Sequence, residues 1–207
     1  GICGELCAHG SWDANGACTA CGYVCEHDNS YDAATGKCRQ CQKNLAVAST
    51  TIGETILYHR TLGEAIQAVA GCTAADKAVV KLLADIDLGS SNQEIKSGVF
   101  TIDLNGKTVK GTAKKVFEVY ADTTIMNGSI IGANRCVDTR KAVELTLTDV
   151  TLIADNYTSY GNPQPLTIGG SKNGTKVTMT NVNISAEAGY GIITFVKTEL
   201  TATKSTI

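Results

Sequence analysis

Proline, aromatic side chains and an excess of either charge are all scarce in this 207-residue chain. It contains 2 Pro beside 21 Gly, which favours a turn-rich, strand-rich protein over a helical bundle. The 18 basic and 20 acidic residues give a net charge of −2, so no basic face is available for nucleic acid or an anionic membrane. Apolar runs are far shorter than the ~18 residues that suggest a membrane span. We therefore expect neither a nucleic-acid partner nor membrane insertion in this segment.

The sequence also lacks the short motifs of several enzyme classes. It has no Walker loop, dinucleotide fingerprint, nucleophile elbow or His-Glu-x-x-His, which argues against nucleotide and acyl-transfer chemistry. With 43% apolar and 18% charged residues, the composition is that of a folded chain and not of a disordered one. The chain starts at Gly1 without the features of a signal peptide, and we interpret it as an internal piece of a longer protein with further domains.

Cysteine, by contrast, is concentrated in the first 41 residues, which hold seven of the nine cysteines. Two units there share a Cys-x-His, an aromatic-Asp pair, a Gly two residues before a Cys, and a Cys-x2-Cys. They span 7–21 and 25–41, and residues 1–6 are interpreted as the remnant of an earlier repeat. A segment this short cannot bury a substantial core, so it needs cross-links or a metal.

Three thiolates and one imidazole form a tetrahedral set that suits zinc. Each unit supplies one such set, which predicts two structural zinc ions. The predicted ligands are Cys7, His9, Cys18 and Cys21 for one ion, and Cys25, His27, Cys38 and Cys41 for the other. Trp12 and Tyr31 are expected to cover the two sites as apolar lids. Since both sets are complete, the sites would stabilise the fold and perform no catalysis.

Two alternatives stay open at this level. A more compact register groups Cys18, Cys21, Cys25 and His27, although it leaves the last Cys-x2-Cys incomplete. Disulfides are the other alternative, because the rest of the chain resembles a secreted protein. A disulfide framework, however, gives no reason for a His two residues after a Cys in both units.

The chain after the cysteines is predicted to be a linker over 42–60, a helix over Thr61–Ala70, and then strands. The predicted strand-rich runs are Val79–Leu88, Val99–Val109, Val116–Ile131, Ala142–Ile153, Lys176–Ile184 and Ile192–Ile207. A marker residue recurs in these runs at Asn105, Asn127, Asp149, Asn181 and Lys204, at intervals of 22, 22, 32 and 23 residues. A period near 22 with alternating apolar residues predicts stacked coils. We expect the marker residues to stack at one corner, with each amide bonded to the next.

From these features the chain resembles the right-handed parallel β-helix of the pectate-lyase-like superfamily. The resemblance depends on Leu62-Gly-Glu-Ala-Ile66 as an N-terminal cap helix, on Ile102-Asp-Leu-Asn-Gly106, and on the marker ladder. It implies a mainly β fold, a single-stranded solenoid over 61–207 that is truncated at its C-terminal end. The tandem over 1–41 resembles the zinc-ribbon-like repeats of large surface proteins of gut Firmicutes. The combination implies an exported, surface-associated bacterial protein.

Few residues stand out as a catalytic site. Arg135, Asp138, Arg140 and Lys141 crowd one turn, which we interpret as a solvated turn that carries charge for solubility. His59 is interpreted as a linker or cap residue, and Cys72 and Cys136 as buried or half-buried apolar residues.

The ten-residue excess in the fourth interval predicts a projecting loop with Tyr157 and Tyr160. These two rings are the candidates for stacking on a sugar or gripping a protein, although they could instead fold back onto the coils.

We expect a non-catalytic extracellular binding or adhesion module whose partner is a glycan or a host glycoprotein, such as a mucin or an immunoglobulin. A passive stalk is one alternative, since zinc units and coils can both act as spacers. A polysaccharide lyase or glycoside hydrolase is the other, and it requires carboxylates that converge on one face.

Overall fold

Short β-strands form nearly all of the regular structure in a computed structural model of the chain, which describes residues 11–21, 23–25, 31–154, 161–170 and 174–207. The first elements are β1 (Tyr31–Asp32), β2 (Lys37–Cys38), β3 (Ala48–Ile52), β4 (Thr55–His59), the helix α1 (Leu62–Ala68) and a single 3-10 turn (Ala74–Asp76). The later strands are β5 (Ala78–Leu82), β6 (Ile86–Asp87), β7 (Gln93–Ile95), β8 (Phe100–Asp103), β9 (Thr108–Gly111), β10 (Lys115–Val119), β11 (Thr123–Gly132), β12 (Arg135–Thr139), β13 (Glu144–Ala154), β14 (Leu166–Ile168), β15 (Thr175–Thr180), β16 (Asn183–Ala186), β17 (Ile192–Thr194) and β18 (Thr198–Thr203).

The strands from β5 onward wind into a parallel solenoid of about five turns with three sides. Sheet A contains β5, β8, the first halves of β11 and β13, then β15 and β18. Sheet B contains β6, β9, the second halves of β11 and β13, and β16. Sheet C contains β7, β10, β12, β14 and β17. The predicted mainly β, parallel stacked-coil fold is therefore confirmed.

Apolar side chains fill the interior as continuous columns. In sheet A, Val80, Ile102, Ile125, Leu147 and Met179 are paired in register and fully buried. Burying one such side chain contributes about 1.5–3 kcal/mol. Because each side chain packs on the coil above and below, the core extends along the solenoid axis.

The predicted marker residues lie at the corner between sheets A and B. All five have a left-handed backbone, with φ between 51° and 61°. Asn and Asp tolerate this conformation better than other non-glycine residues, which explains their recurrence in the sequence.

The side chains at this corner form only part of the predicted ladder. The Asn181 amide donates to Asp149 on the preceding coil, as expected. The Asn127 amide donates instead to Asp103 at 3.0 Å, and the Asn105 amide donates to the Leu82 carbonyl at 2.9 Å. At Asn105 the amide therefore bonds to backbone and does not extend the predicted side-chain ladder.

Replacing Asn127 separates backbone strain from hydrogen bonding at this corner. We expect Asn127→Ala to lower the free energy of unfolding by about 2–3 kcal/mol, since Ala adopts the left-handed conformation poorly and the bond to Asp103 is lost. Asn127→Gly removes the hydrogen bond but keeps the left-handed conformation, so we expect it to lower the free energy of unfolding by only about 1 kcal/mol. Urea unfolding measures both, and equal losses would contradict the strain argument.

The helix α1 begins as predicted, with Thr61 as its N-cap. The Thr61 hydroxyl accepts the Glu64 amide at 3.1 Å, while the Glu64 carboxylate accepts the Arg60 amide at 3.0 Å. Its buried residues, among them Leu62 and Ile66, join the same hydrophobic core as the coils. Its role as an end cap stays a prediction.

Residues 42–60, interpreted from the sequence as a linker, contain the β3–β4 hairpin. Strand β3 pairs antiparallel with β4 and, on its other side, with β5 of the first coil. The hairpin therefore extends sheet A beyond the parallel coils. Alternation in this segment is weak because Ala48, Ser49 and Thr50 are all buried.

Candidate functional site

The same type of turn, closed by an Asp side chain, brings the cysteines together in both repeats. In the first, the Asp13 carboxylate accepts the backbone amides of Asn15 and Ala17, both at 2.8 Å, before the left-handed Gly16. In the second, the Asp32 carboxylate accepts the Ala34 amide at 2.9 Å before the left-handed Gly36. The Asp after each aromatic residue thus closes a tight turn that leads into the following cysteine.

Cys25, Cys38 and Cys41 form a buried cluster whose sulfur atoms all lie within 4.8 Å of one another. The Cys25 and Cys38 sulfurs are 3.5 Å apart, too far for a disulfide bond of about 2.05 Å. Thiolates on one tetrahedral zinc lie ~3.8 Å apart, so the observed spacing fits a shared metal. Trp12 and Leu45 pack against the cluster and shield it from water.

These three cysteines belong to the second predicted ligand set. Its fourth member, His27, lies outside the described residues, as do Cys7 and His9 of the first set. Of the remaining first-set ligands, Cys18 is buried and Cys21 is exposed. In the more compact register Cys25 joins Cys18 and Cys21, whereas the structure groups Cys25 with the later cysteines. The donor set therefore fits a soft metal such as zinc, with the ion count still a prediction.

The second repeat packs directly on the β3–β4 hairpin. The Tyr58 amide donates to the Ala33 carbonyl at 2.8 Å, and the Leu45 amide donates to the Gly36 carbonyl at 2.9 Å. A Cβ on Gly36 would lie 3.0 Å from the Tyr58 ring, so only glycine fits this contact. The cysteine cluster and the start of the solenoid are thus joined by backbone hydrogen bonds and close packing.

Asp138 is not solvated, so the interpretation of the charged turn as one that only provides solubility is wrong for this residue. The Asp138 side chain is fully buried on sheet C, with Arg135 Nη1 at 2.8 Å and Lys115 Nζ at 3.6 Å. Lys115 also contacts Glu118 at 2.7 Å, and Arg140 lies 3.5 Å from both carboxylates. Ion pairing with these cations offsets the burial of the two carboxylates.

A sequence signal for this cluster exists, although it was missed. Lys115-Val-Phe-Glu118 and Arg135-Cys-Val-Asp138 share a basic-x-x-acidic pattern 20 residues apart, close to one coil. The register pairs Lys115 with Arg135 and Glu118 with Asp138, and Glu94 pairs with Glu118 on the coil below. Three carboxylates therefore stack on one face, but Lys96, Lys115, Arg135 and Arg140 hold them as ion pairs.

A shallow groove of about 560 Å³ crosses four coils of sheet A. One row along it consists of Val79, Thr101, Thr124 and Thr146, paired in register from β5 to β13. Asp122 and Glu144 also line the groove, on neighbouring coils. Tyr157 and Tyr160, the predicted binding residues, lie outside the described residues.

His59 and the two later cysteines, Cys72 and Cys136, contact neighbouring groups of the fold. His59 Nε2 lies 2.8 Å from the Thr50 hydroxyl, and burial lowers the pKa of His59. The Cys136 thiol is buried and donates to the carbonyls of Ile130 and Ile153. Cys72 is half-buried, and this desolvation, with Asp76 nearby, raises the pKa of its thiol. Both cysteines act as small core or near-core residues, as predicted.

Comparisons with protein-family models, curated proteins and solved structures gave no match to the chain. Within the described ranges, no helix has both the length and the apolar character needed to cross a membrane.

Proposed function

We propose that this chain is a non-catalytic binding module of an extracellular bacterial surface protein, and that its ligand is a glycan, free or carried by a host glycoprotein such as a mucin or an immunoglobulin. The observation that carries the proposal is the groove on sheet A. It offers threonine hydroxyls on three consecutive coils, from Thr101, Thr124 and Thr146, flanked by two carboxylates.

The chemistry of the groove matches the hydroxyl groups of a sugar. Hydroxyl oxygens both donate and accept, and carboxylate oxygens accept from sugar hydroxyls. The Thr124 and Thr146 hydroxyls have no hydrogen-bond partner in the described part of the chain, so both remain available to a ligand. Neighbouring strands are about 4.8 Å apart, which gives a row of hydroxyls ~10 Å long across these three coils. A linear glycan along the solenoid axis would meet one hydroxyl on each of these three coils.

In this proposal the cysteine segment has a structural role, with one zinc in each of two repeats and His27 completing the second. In the same proposal, the solenoid is right-handed and α1 caps its first coil. The cysteine segment and the solenoid are then parts of one bacterial surface protein, of the kind that the cysteine repeats resemble. The cluster of Cys25, Cys38 and Cys41 supports the metal part of this assignment.

Removing the groove hydroxyls tests the binding function. We expect Thr124→Val with Thr146→Val to weaken glycan binding about tenfold, because two hydrogen bonds of roughly 0.5–1.5 kcal/mol are lost while strand propensity is kept. The matched control is Thr203→Val on exposed β18, outside the groove. Binding is measured against immobilised neutral glycans, mucin and immunoglobulin. No binding to any of them would favour the stalk, and equal binding by both variants would remove the groove from the proposal.

A second candidate is a glycoside hydrolase centred on Asp122 and Glu144. These carboxylates line the same groove and precede paired residues of β11 and β13. The Asp122 carboxylate accepts the Glu144 amide at 2.8 Å, and the Glu144 side chain contacts Lys176 at 3.1 Å, so both already have structural partners. New reducing ends from a bound glycan, lost in Asp122→Asn and Glu144→Gln, would establish hydrolysis in place of simple binding.

A further inference from the structure

A column of residues follows the strands of sheet C, one residue after each strand ends. It contains the exposed Lys96, Arg140 and Phe195, the half-buried Tyr120 and the buried Gly169. Backbone hydrogen bonds continue through it, from Tyr120 to Ile95, from Arg140 to Val119 and from Phe195 to Ile168, at 2.8–2.9 Å. The column is therefore as regularly spaced as the strands themselves. We call it the sheet C column.

The sheet C column and the ion pairs beside it concentrate positive charge. Together they hold five of the 18 basic side chains but only three of the 20 acidic ones; these residues are Lys96, Lys115, Arg135, Arg140, Lys141, Glu94, Glu118 and Asp138. The chain as a whole has a net charge of −2, so this face has the opposite sign to the rest. Such a face attracts anionic ligands and raises their association rate.

The cations are held in fixed positions before any ligand arrives. The buried Asp138 and the nearly buried Glu118 together position Lys115, Arg135 and Arg140. The network is incomplete within the described residues, because buried Arg135 Nε and Asp138 Oδ1 have no hydrogen-bond partner. Arg140 lies at 3.5 Å from both carboxylates, longer than a good charge-assisted hydrogen bond, and its side chain is 40% exposed. Its guanidinium is thus placed at the surface with donor capacity left for a ligand.

Aromatic rings flank these cations. The Lys141 ammonium lies 5.8 Å from the centre of the Tyr120 ring, and Phe195 is 65% exposed two coils beyond Arg140. Gly169 lies between Arg140 and Phe195 in the column, and the Phe195 ring is 4.0 Å from its Cβ position. Along the column the order is cation, ring, cation, glycine and ring, and this combination of cations and rings fits a chain of sugar rings with anionic substituents.

We propose that the sheet C column binds sulfate groups of a sulfated glycan that lies along the solenoid axis. Arg140 offers a planar fork and Lys141 a point charge, and a sulfate has three terminal oxygens that can accept from both at once. A carboxylate has two oxygens in one plane and is satisfied by the fork alone. This surface shares no residue with the sheet A groove, so its variants test it independently of the proposed function.

Three dextrans of equal length test this site, since they share one backbone: dextran sulfate, carboxymethyl dextran and unmodified dextran. At physiological salt we expect the full chain to bind dextran sulfate at least tenfold more tightly than carboxymethyl dextran, and unmodified dextran not at all. We expect Arg140→Gln with Lys141→Gln to weaken binding of dextran sulfate about tenfold, and Phe195→Ala to weaken it several-fold. Thermal unfolding of each variant shows that the fold is kept.

The matched control is Lys107→Gln with Lys110→Gln, which removes the same charge beside sheet B and should bind like the unmodified chain. Three results would overturn the proposal. These are no binding of dextran sulfate, equal affinity for the carboxymethyl polymer, and an equal loss in the control variant, which would show attraction by overall charge only.

Discussion

Cys38→Ser is expected to remove one bound zinc ion and to unfold the second cysteine repeat. The Cys38 sulfur is fully buried between those of Cys25 and Cys41, and the apolar partners of this cluster are few. Structural zinc contributes roughly 10–16 kcal/mol in zinc-finger peptides, whereas so small a core contributes little by itself. Without the metal, we therefore expect the repeat to lose its ordered structure.

The contacts with the hairpin determine how far this unfolding spreads. Tyr58 donates to Ala33 and packs on Gly36, so the hairpin loses partners when the repeat unfolds. β3 keeps its pairing with β5, and the coils keep their own core. We expect the main thermal transition to persist a few degrees lower, with faster amide exchange at Leu45 and Tyr58. If chelation of the metal abolished a single thermal transition of the whole chain, the cysteine repeats and the solenoid would instead form one cooperative unit.

Metal analysis, calorimetry and hydrogen exchange measure these effects. Cys72→Ser is the matched control, since Cys72 lies outside the repeats and should keep the full metal content. Cys18→Ser and Cys25→Ser, alone and together, test which cysteines share an ion. With two separate sites, each single variant keeps one zinc and the Cys18/Cys25 double variant keeps none. In the compact register, either change would remove the same ion. Unfolding by a reductant but not by a chelator would favour disulfides.

The solenoid could be predicted because its determinants are local and recur. The left-handed corners select Asn or Asp at Asn105, Asn127, Asp149 and Asn181, and this choice is visible as a 22-residue period. Alternating apolar residues reveal which side faces the core. The cysteine pattern was equally readable, since three of the four predicted ligands in the second set do cluster.

The hairpin and the charged cluster depend on contacts distant in sequence. Strand β3 is stabilised by its pairing with β5, thirty residues later in the chain. Without that pairing in view, a short segment that contains Ser and Thr resembles a linker. Asp138 and Lys115 meet only because coils stack in one particular register. Read with their nearest sequence neighbours alone, Asp138 and Lys115 have the charge pattern of an ordinary solvated loop. The register between two strands depends on the length of every coil between them, so it is the feature that the sequence predicts least well.

Asp138→Asn is expected to lower the free energy of unfolding by about 3–5 kcal/mol, which is typical when one partner of a buried ion pair is removed. The change keeps the shape of the side chain but leaves Arg135, 15% exposed, and Lys115, 19% exposed, with less negative charge to balance them. For a chain of this size we expect the melting temperature to fall by roughly 10 °C.

Glu94→Gln is the matched control on the same sheet and in the same register row. Its partner Lys96 is 73% exposed, and an exposed pair is worth at most about 1 kcal/mol. Adding Arg135→Met to Asp138→Asn should restore part of the lost stability, because the unpaired cation is then removed as well. A loss below about 1 kcal/mol for Asp138→Asn would show that water solvates this carboxylate after all, as expected of a charged turn. A large loss with partial rescue would establish that burial, and not solubility, governs these charges, and that Asp138 holds the neighbouring cations of sheet C in place.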